Sequence, residues 1–316
     1  MILQTHIPLK KQQHSLIDYS SKLFLLGSCF SENIGNKLSY YKFQSSQNPF
    51  GILFHPKAIE RLILNAINEK KYTEEDIFNF NERWHCFETH SNLSSVDKDE
   101  FLNTLNISIK DTFQQLQKAS HIIITLGTAW VYRYISSDVV VANCHKVPQK
   151  QFLKEILTVN EVSESLASIC SLIRSVNKEA SILFTVSPVR HIKDGFIENK
   201  RSKSHLLSVI HEVIDPRKNI HYFPSYEIMM DELRDYRFYK EDMIHPSQTA
   251  IDYIWNRFVD TWFHESSLFT MKKVEEIQKG IAHKPFNTNS DAHQTFLKKL
   301  TQKKEILLKE FPFMRF

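Results

Sequence analysis

The sequence predicts an α/β fold, a doubly wound parallel sheet followed by a C-terminal helical extension. Three apolar runs, at residues 23–27, 121–127 and 180–187, each end in glycine or serine and are typical of buried strands. Helix-like segments separate the runs, and strands that alternate with helices favour a parallel sheet with crossover connections. Nearly continuous apolar strands are expected where helices cover both faces of a sheet.

Local signals place the remaining elements along the chain. Pro56 suits the first helical position, Thr158 and Glu161 form a capping box, and the aromatic segment 77–95 is typical of a hairpin. Residues 1–20 are predicted to form an arm or an edge strand. Predicted helices cover 31–40, 56–70, 97–118, 158–177, 202–213, 226–230 and 246–263; a fourth strand is predicted at 220–223 and a second hairpin at 130–135 and 139–142.

The predicted organisation is an α/β domain over residues 1–265 and a helical extension over residues 266–316. The extension is rich in lysine, and a segment of Pro, Asn and Ser at 285–291 interrupts it. An alternative to a packed extension is a basic tail that contacts a partner. Four apolar side chains are expected to dock the extension on the main body: Leu297, Leu300, Ile306 and Leu307.

The composition excludes several classes of protein. The chain has 316 residues, is 42% hydrophobic and carries a net charge of +4 from 40 basic and 36 acidic residues. Because these charges are interleaved along most of the chain, a nucleic-acid partner is not expected. Four scattered cysteines without a CxxC pair indicate a reducing compartment. The lack of a secretory apolar segment or a bilayer-length apolar run predicts a cytoplasmic protein without membrane attachment.

Ser28 follows the first strand and is a candidate for chemistry. Gly27 permits a tight turn, and Ser31 is the predicted N-cap of the next helix, so Ser28 is expected at the carboxyl end of a strand beside a helix N-terminus. Ligands bind at such positions in open α/β sheets, and a helix N-terminus stabilises an incipient anion. The hydroxyl is therefore a candidate nucleophile, and the alternative is that it only caps the turn.

A second motif, Asp242-x-x-His245, lies just before the last helix of the predicted α/β domain. A carboxylate that binds one ring nitrogen of a histidine fixes its tautomer and leaves the other nitrogen to accept a hydroxyl proton. Pro246 disfavours the helical region for the backbone of His245, so the histidine is expected in a loop. The alternative is a helix cap beside a surface histidine.

Together, these motifs resemble the SGNH/GDSL hydrolase superfamily, and Gly27-Ser-Cys-Phe-Ser31 resembles the signature of the GSCFA family, with serine in place of its alanine. The resemblance spans about residues 20–262. Five further blocks, in order, are similar to that family: 48–52, 124–132, 143–146, 185–191 and 242–247.

The resemblance implies a three-layer α/β/α flavodoxin-like fold and a Ser–His–Asp site without a cofactor. By position, Ser28 is the nucleophile, His245 the base and Asp242 the residue that orients the base. Gly51 matches the block whose backbone N–H serves an oxyanion hole. Loss of one such donor commonly costs about a hundredfold or more in rate.

The chain departs from the superfamily pattern after its second strong strand. Gly127-Thr128-Ala-Trp stands where Gly-x-Asn-Asp is usual, so the asparagine that normally donates to the oxyanion is missing. Thr128 and Asn143 are the expected substitutes. The missing asparagine is also the feature that favours a non-catalytic binding protein.

Cys29 is an alternative nucleophile, because a thiol beside a helix N-terminus can have a lowered pKa, but the superfamily position is a serine.

Histidines and cysteines, which can bind metals, stand at residues 85, 86, 90, 144 and 145. No C-x₂-C or H-x₃-H spacing is present, so no metal is expected. Four side chains are candidates for the substrate cleft: His85, His145, Arg190 and His191. For these residues, the alternative to a role in binding is packing among aromatic residues or a salt bridge.

The sequence therefore predicts a serine acyl-ester hydrolase, of the esterase or deacetylase type, that acts through an acyl-enzyme. Its expected partner is a small-molecule or saccharide acyl ester. Two alternatives stay open: an acyltransferase with the same residues, and a binding protein that keeps the cleft. The acyl group, the acceptor and the oligomeric state are not determined.

Overall fold

The computed structural model describes residues 5–316 and confirms the α/β fold. A five-stranded parallel sheet lies between two layers of helices. The strands are β1 (Lys22–Gly27), β2 (Gln44–Gln47), β3 (Phe78–Phe80), β4 (Arg83–His85), β5 (His121–Leu126), β6 (Trp130–Tyr134), β7 (Val139–Val141), β8 (Phe152–Ile156), β9 (Ser181–Val186) and β10 (Ile220–Tyr222). The helices are α1 (Cys29–Tyr40), α2 (Pro56–Ile67), α3 (Lys98–Lys118), α4 (Val159–Val176), α5 (Phe196–Val213), α6 (Ser225–Glu227), α7 (Gln248–Trp262), α8 (Glu265–Ala282) and α9 (Asp291–Glu310).

The central sheet has the strand order β2-β1-β5-β9-β10, and all neighbouring strands are parallel. This is a doubly wound order of the flavodoxin type, in which the chain builds outward from β1 on one side and then crosses to the other. The switch point lies between β1 and β5, where Gly27 and Thr125 are paired. Ligands bind outside the carboxyl ends of the strands at such a point, so a site is expected where β1 and β5 end.

Successive side chains of a central strand point to opposite faces of the sheet, and both sets are apolar, so both faces are covered by helices. In β1, Phe24 and Leu26 join the core under α2, α3, α4 and α5, whereas Leu23 and Leu25 join the core under α1, α7, α8 and α9. All four side chains are at most 1% exposed. Burial of each contributes roughly 1.5–3 kcal/mol relative to exposure in water. A short apolar run is therefore sufficient to define the strand.

The first helix begins earlier than the sequence predicts. Helix α1 starts at Cys29, and Ser28, not the predicted Ser31, is its N-cap. Ser31 lies inside the first turn, where its Oγ donates to the carbonyl of Leu26. Helix α5 also begins before its predicted start at residue 202, at Phe196.

Two strands lack a signal in the sequence. Strand β2 has the polar sequence Gln-Ser-Ser-Gln and forms through backbone pairing with β1 at the edge of the sheet, which apolar periodicity does not reveal. Strand β8 pairs with β6 and completes the antiparallel sheet β7-β6-β8, beside the predicted hairpin. Of the predicted arm, residues 1–4 lie outside the described residues; residues 5–20 form no strand, and Ile17 makes an isolated bridge to Phe263.

The C-terminal extension is helical and packs on the main body. Met271 and Val274 of α8 are buried in the same core as Trp255 of α7. Of the side chains expected to dock it, Leu300 and Leu307 are buried, whereas Leu297 and Ile306 are exposed. The division of the chain at residue 265 stays a prediction. Within residues 5–316, no helix combines the length and apolar character needed to cross a bilayer.

Candidate active site

Asp242 and His245 are brought together in the loop before α7. Asp242 Oδ2 lies 2.7 Å from His245 Nδ1, and Oδ1 accepts hydrogen bonds from the N–H groups of Ile244 (2.8 Å) and His245 (2.9 Å). These bonds, the backbone ones foremost, lower the pKa of Asp242, so it is a carboxylate at neutral pH. The carboxylate holds the ring through Nδ1, and Nε2 is the nitrogen available for a hydroxyl proton.

Arg190 fastens this loop to the end of β9. Its N–H donates to the carbonyl of Ile244 (3.2 Å), and Nη1 donates to the carbonyl of Met243 (3.4 Å). The guanidinium lies 3.9 Å from the ring centroid of Tyr239, within the range of a cation–π contact. Arg190, a predicted cleft residue, thus braces the loop, and in the described chain it forms no ion pair with a carboxylate.

Ser28 lies at the switch point, where β1 ends and α1 begins. Its Oγ accepts a hydrogen bond from the N–H of Phe30 (3.2 Å), its own N–H donates to the carbonyl of Thr125 (3.0 Å), and the residue is 1% exposed. Over residues 5–316, Ser28 makes no hydrogen bond to His245. Ser28 therefore occupies the predicted position, and in this structure its hydroxyl caps α1.

His191 lies between the end of β5 and the His245 loop. Its ring packs on Phe54, with centroids 5.7 Å apart, and its Nε2 is 3.0 Å from the place that a Cβ on Gly127 would occupy. Burial lowers the pKa of His191 to about 3, and the charges of Lys203 and His245 add to this effect. The ring is therefore neutral at pH 7. Its buried Nε2 has no hydrogen-bond partner among the described residues.

Asn48 contacts Gly27, the residue before Ser28, and no sequence pattern assigns it a role. Gly27 has a φ of +132°, and a Cβ there would lie 2.1 Å from the carbonyl oxygen of Thr125, so only glycine lets β1 end this close to β5. The N–H of Gly27 donates to Asn48 Oδ1 (2.9 Å). Because an N–H needs an acceptor, this bond distinguishes Oδ1 from Nδ2 in the amide. Asn48 Nδ2 is buried and unpartnered in the described part of the structure. The amide that contacts the residue before the candidate nucleophile thus has an unused hydrogen-bond donor.

The three predicted oxyanion residues make other hydrogen bonds in this structure. The N–H of Gly51 donates to the carbonyl of Asn48 (2.8 Å) and closes a turn. The Thr128 hydroxyl pairs with Ser202 Oγ (2.8 Å). Asn143 lines a cavity, and its Oδ1 accepts a hydrogen bond from the N–H two residues later (2.8 Å). An oxyanion role for the N–H of Gly51 requires its hydrogen bond to break, and Thr128 can donate to an oxyanion only if Ser202 is the donor in their pair.

Lys203 of α5 is a second side chain of the site that the sequence does not predict. It is 1% exposed, and its Nζ donates to the carbonyl oxygens of Gly127 (2.6 Å) and Ser187 (2.8 Å), which follow β5 and β9. Burial lowers the pKa of Lys203 to about 7. A neutral amine has two N–H donors, and these two carbonyls satisfy both. Its neighbours Arg201 and His205 make the segment look like a solvated helix face, so no sequence signal marks it.

Cys29 is less suited than Ser28 to be the nucleophile. Burial is the main cause that raises the pKa of its thiol, with a contribution from Glu32, while Lys203 and Lys240 oppose the rise. The thiolate is the reactive form of cysteine, and a raised pKa makes it scarce at neutral pH. We therefore retain Ser28 as the candidate.

A cavity of about 440 Å³ opens beside the end of β5. Phe54, Thr128 and His191 form its inner end, and the sheet β7-β6-β8 forms one wall. Ser28 and His245 do not line it. Because neighbouring strands are about 5 Å apart, Thr128 after β5 lies within roughly 10 Å of Ser28 after β1.

His85 and His145 lie among aromatic side chains and do not line this cavity. His85 Nδ1 pairs with Ser94 Oγ (2.6 Å), and its Nε2 pairs with the carbonyl of Phe80 (3.0 Å). His145 Nε2 pairs with the carbonyl of Cys86 (2.7 Å), and the two histidine rings are 4.8 Å apart. Packing thus describes both residues in this structure. Across residues 5–316, no cluster of three His, Cys, Asp or Glu side chains is placed to hold a metal ion.

Comparison with known proteins matches both parts of the chain to family models. Residues 22–258, about three quarters of the chain, match the GSCFA family, and residues 274–316 match the C-terminal domain of GSCFA domain proteins. A search of curated proteins found no match. The first matched segment includes Ser28, Asn48, Lys203 and the Asp242–His245 pair.

Proposed function

The chain belongs to the GSCFA family, and we propose that it is a serine-dependent acyl-ester hydrolase. The observation that carries the proposal is the 2.7 Å hydrogen bond between Asp242 Oδ2 and His245 Nδ1, in a structure whose switch point bears Ser28. A carboxylate, an imidazole and a hydroxyl are the groups needed for acyl transfer through a covalent intermediate. The arrangement resembles that of the SGNH/GDSL superfamily.

In the proposed reaction, Ser28 Oγ attacks the carbonyl carbon of the ester while His245 Nε2 takes the hydroxyl proton. The carbonyl oxygen becomes an oxyanion, the bond to the alcohol oxygen breaks, and the alcohol leaves with the proton from His245. Water then attacks the acyl-enzyme by the same path and releases the carboxylic acid and Ser28. Asp242 stays ionised throughout and stabilises the imidazolium. An acyltransferase differs only in that an acceptor hydroxyl replaces the water.

We propose Asn48 as the oxyanion donor in place of the missing asparagine. Its Nδ2 is buried and unpartnered in the described residues, and its Oδ1 is bonded to the residue before Ser28. Its φ of +43° lies in the left-handed region, which asparagine adopts more readily than most residues. The N-terminus of α1 adds a partial positive charge at the same place. A preorganised donor of this kind acts on charge that develops only in the transition state.

The Ser28 hydroxyl needs to turn toward His245 for the first step. It makes a single 3.2 Å capping bond, and loss of a cap costs typically about 1 kcal/mol. His245 is half-exposed, on a loop in which Met243 has a left-handed φ of +56°. Catalytic hydrogen bonds often form fully only when substrate is bound. Release of the Ser28 hydroxyl from its cap therefore costs about 1 kcal/mol.

Labelling of the full chain with a fluorophosphonate, followed by mass spectrometry of the modified peptide, tests the proposal. The expected result is phosphonylation of Ser28 that is lost in Ser28→Ala and in His245→Ala. Ser31→Ala is the matched control, because Ser31 is also a buried serine of the same turn, and it is expected to keep the label. Absence of label in folded protein contradicts an activated serine, and label on Cys29 moves the nucleophile by one residue.

A non-catalytic binding protein is the second candidate function. It is favoured by the hydrogen bonds that occupy the N–H groups of Ser28 (to the carbonyl of Thr125, 3.0 Å) and Gly51 (to the carbonyl of Asn48, 2.8 Å), because an oxyanion hole needs such donors to be available. The two functions separate in one comparison. An enzyme hydrolyses phenyl acetate in a manner that depends on Ser28, whereas a binding protein leaves it intact and its Ser28→Ala variant binds ligand equally well.

A further inference from the structure

One wall of the cavity at the end of β5 is aromatic. Trp130 and Tyr132 of β6 line it, and Lys154 of β8 is paired in register opposite Tyr132. The ammonium of Lys154 lies 5.2 Å from the ring centroid of Trp130 and 5.4 Å from that of Tyr132. Lys193 lies 6.0 Å from the ring centroid of Tyr132. The wall therefore offers flat apolar area with ammonium groups at its border.

The charge of the cavity is positive. Three lysines line it, Lys146, Lys154 and Lys193, against a single carboxylate, Asp194, which pairs with Lys154. The two histidines in the lining add no charge near pH 7, because burial lowers the pKa of one, at position 55, to about 4 and of the other, at position 191, to about 3. A net excess of positive charge in a concave site attracts anions.

The inner end of the cavity carries no net charge. His191 is neutral near pH 7, and its Nε2 is buried beside Gly127 without a partner in residues 5–316. Phe54 and Thr128 stand beside it, at the end of β5 next to the switch point. The outer end is reached through Lys146 and Lys193, which are both exposed. A ligand would thus lie with its uncharged part inward and its charged part outward.

We infer that this cavity binds the alcohol part of the substrate, and that this part is an anion carried on a ring or chain that packs against the aromatic wall. The alcohol part has to leave while the acyl group stays on Ser28, which suits a cavity open to solvent rather than an enclosed one. A volume of about 440 Å³ accommodates a small ligand of one or two rings. The catalytic meaning of the inference rests on the proposed hydrolase function, whereas the binding is measurable without turnover.

The test is calorimetric titration of the full chain with 3-hydroxybenzoate and with its neutral isostere 3-hydroxybenzamide. We expect the anion to bind at least about tenfold more tightly, because its carboxylate makes charge-assisted hydrogen bonds that the amide does not. Lys193→Gln is expected to weaken binding of the anion about fivefold, and Asp194→Asn to strengthen it by a similar factor, with little effect on the amide. Lys178→Gln, at an exposed lysine on α4's C-terminal side, is the matched control and is expected to change neither.

Equal affinity for the two probes, binding of neither, or an affinity for the anion that Lys193→Gln and Asp194→Asn leave unchanged overturns the inference. The same pair as esters, 3-acetoxybenzoate and 3-acetoxybenzamide, distinguishes this from failure of the proposed function. If Ser28 is not an activated nucleophile, neither ester is cleaved, yet 3-hydroxybenzoate still binds selectively. If only the inference fails, Ser28 is labelled and both esters are cleaved with similar KM.

Discussion

Replacement of Lys203 by methionine is expected to change how the free energy of unfolding depends on pH. Lys203 is 1% exposed and donates to two carbonyl oxygens, and burial lowers its pKa from 10.5 to about 7. In the unfolded chain the same amine keeps its proton up to pH 10.5. The unfolded state therefore binds more protons than the folded state between pH 7 and 10.5, and the free energy of unfolding rises with pH across that window.

The magnitude follows from the size of the shift. Each pH unit between the two pKa values contributes about 1.4 kcal/mol, so the whole window amounts to about 5 kcal/mol. Between pH 7.5 and 9.5 the free energy of unfolding of the wild type, relative to that of Lys203→Met, is expected to increase by about 2–3 kcal/mol. Loss of a donor for the carbonyls of Gly127 and Ser187 also destabilises the variant, but by an amount that does not depend on pH.

Urea unfolding of both proteins at half-unit steps from pH 6.5 to 9.5 measures this difference. Lys178→Met, which removes an exposed lysine beyond the end of α4, controls for the loss of one positive charge. Below pH 7 the difference between wild type and Lys203→Met is expected to become constant, because both states of the wild type are then protonated. A difference that stays constant up to pH 9.5 refutes the reasoning, since it means that the amine keeps its proton in the folded protein.

Three further outcomes are expected. Asn48→Asp keeps the acceptor for the Gly27 N–H but loses the Nδ2 donor, so kcat for phenyl acetate should fall about a hundredfold or more with circular dichroism unchanged; an unchanged kcat excludes Asn48 as the oxyanion donor. Gly27→Ala should lower the free energy of unfolding by about 3 kcal/mol, and more than Gly195→Ala, whose φ is also positive but whose added Cβ meets nothing within 4 Å; equal losses in urea unfolding contradict the steric argument. Asp242→Asn should slow fluorophosphonate labelling by about a thousandfold or more, because the wrong tautomer of His245 is then favoured; an unchanged rate argues against the carboxylate–histidine pair.

The fold was predictable because its central strands are apolar on both faces. The runs that became β1, β5 and β9 carry their signal in consecutive residues, as do the capping box of α4 and the proline that opens α2. Strand β2 was not predictable, because its four polar residues are held by the backbone of β1 and not by burial of side chains. The start of α1 shifted for a similar reason: both Ser28 and Ser31 are acceptable caps, and the place where β1 ends selects Ser28.

The candidate site likewise has a part that the sequence predicts and a part that it does not. Asp242 and His245 are three residues apart, so a single loop brings their side chains together and the sequence alone determined that pairing. It also determined that Ser28 follows a strand. Only the tertiary structure decided the partners of Asn48 and Lys203, because each contacts backbone atoms of strands distant in the chain. Hydrogen bonds to backbone carbonyls and N–H groups depend on where the strands end in space. Because nearly every residue carries these same backbone groups, the sequence does not show which of them a side chain will meet.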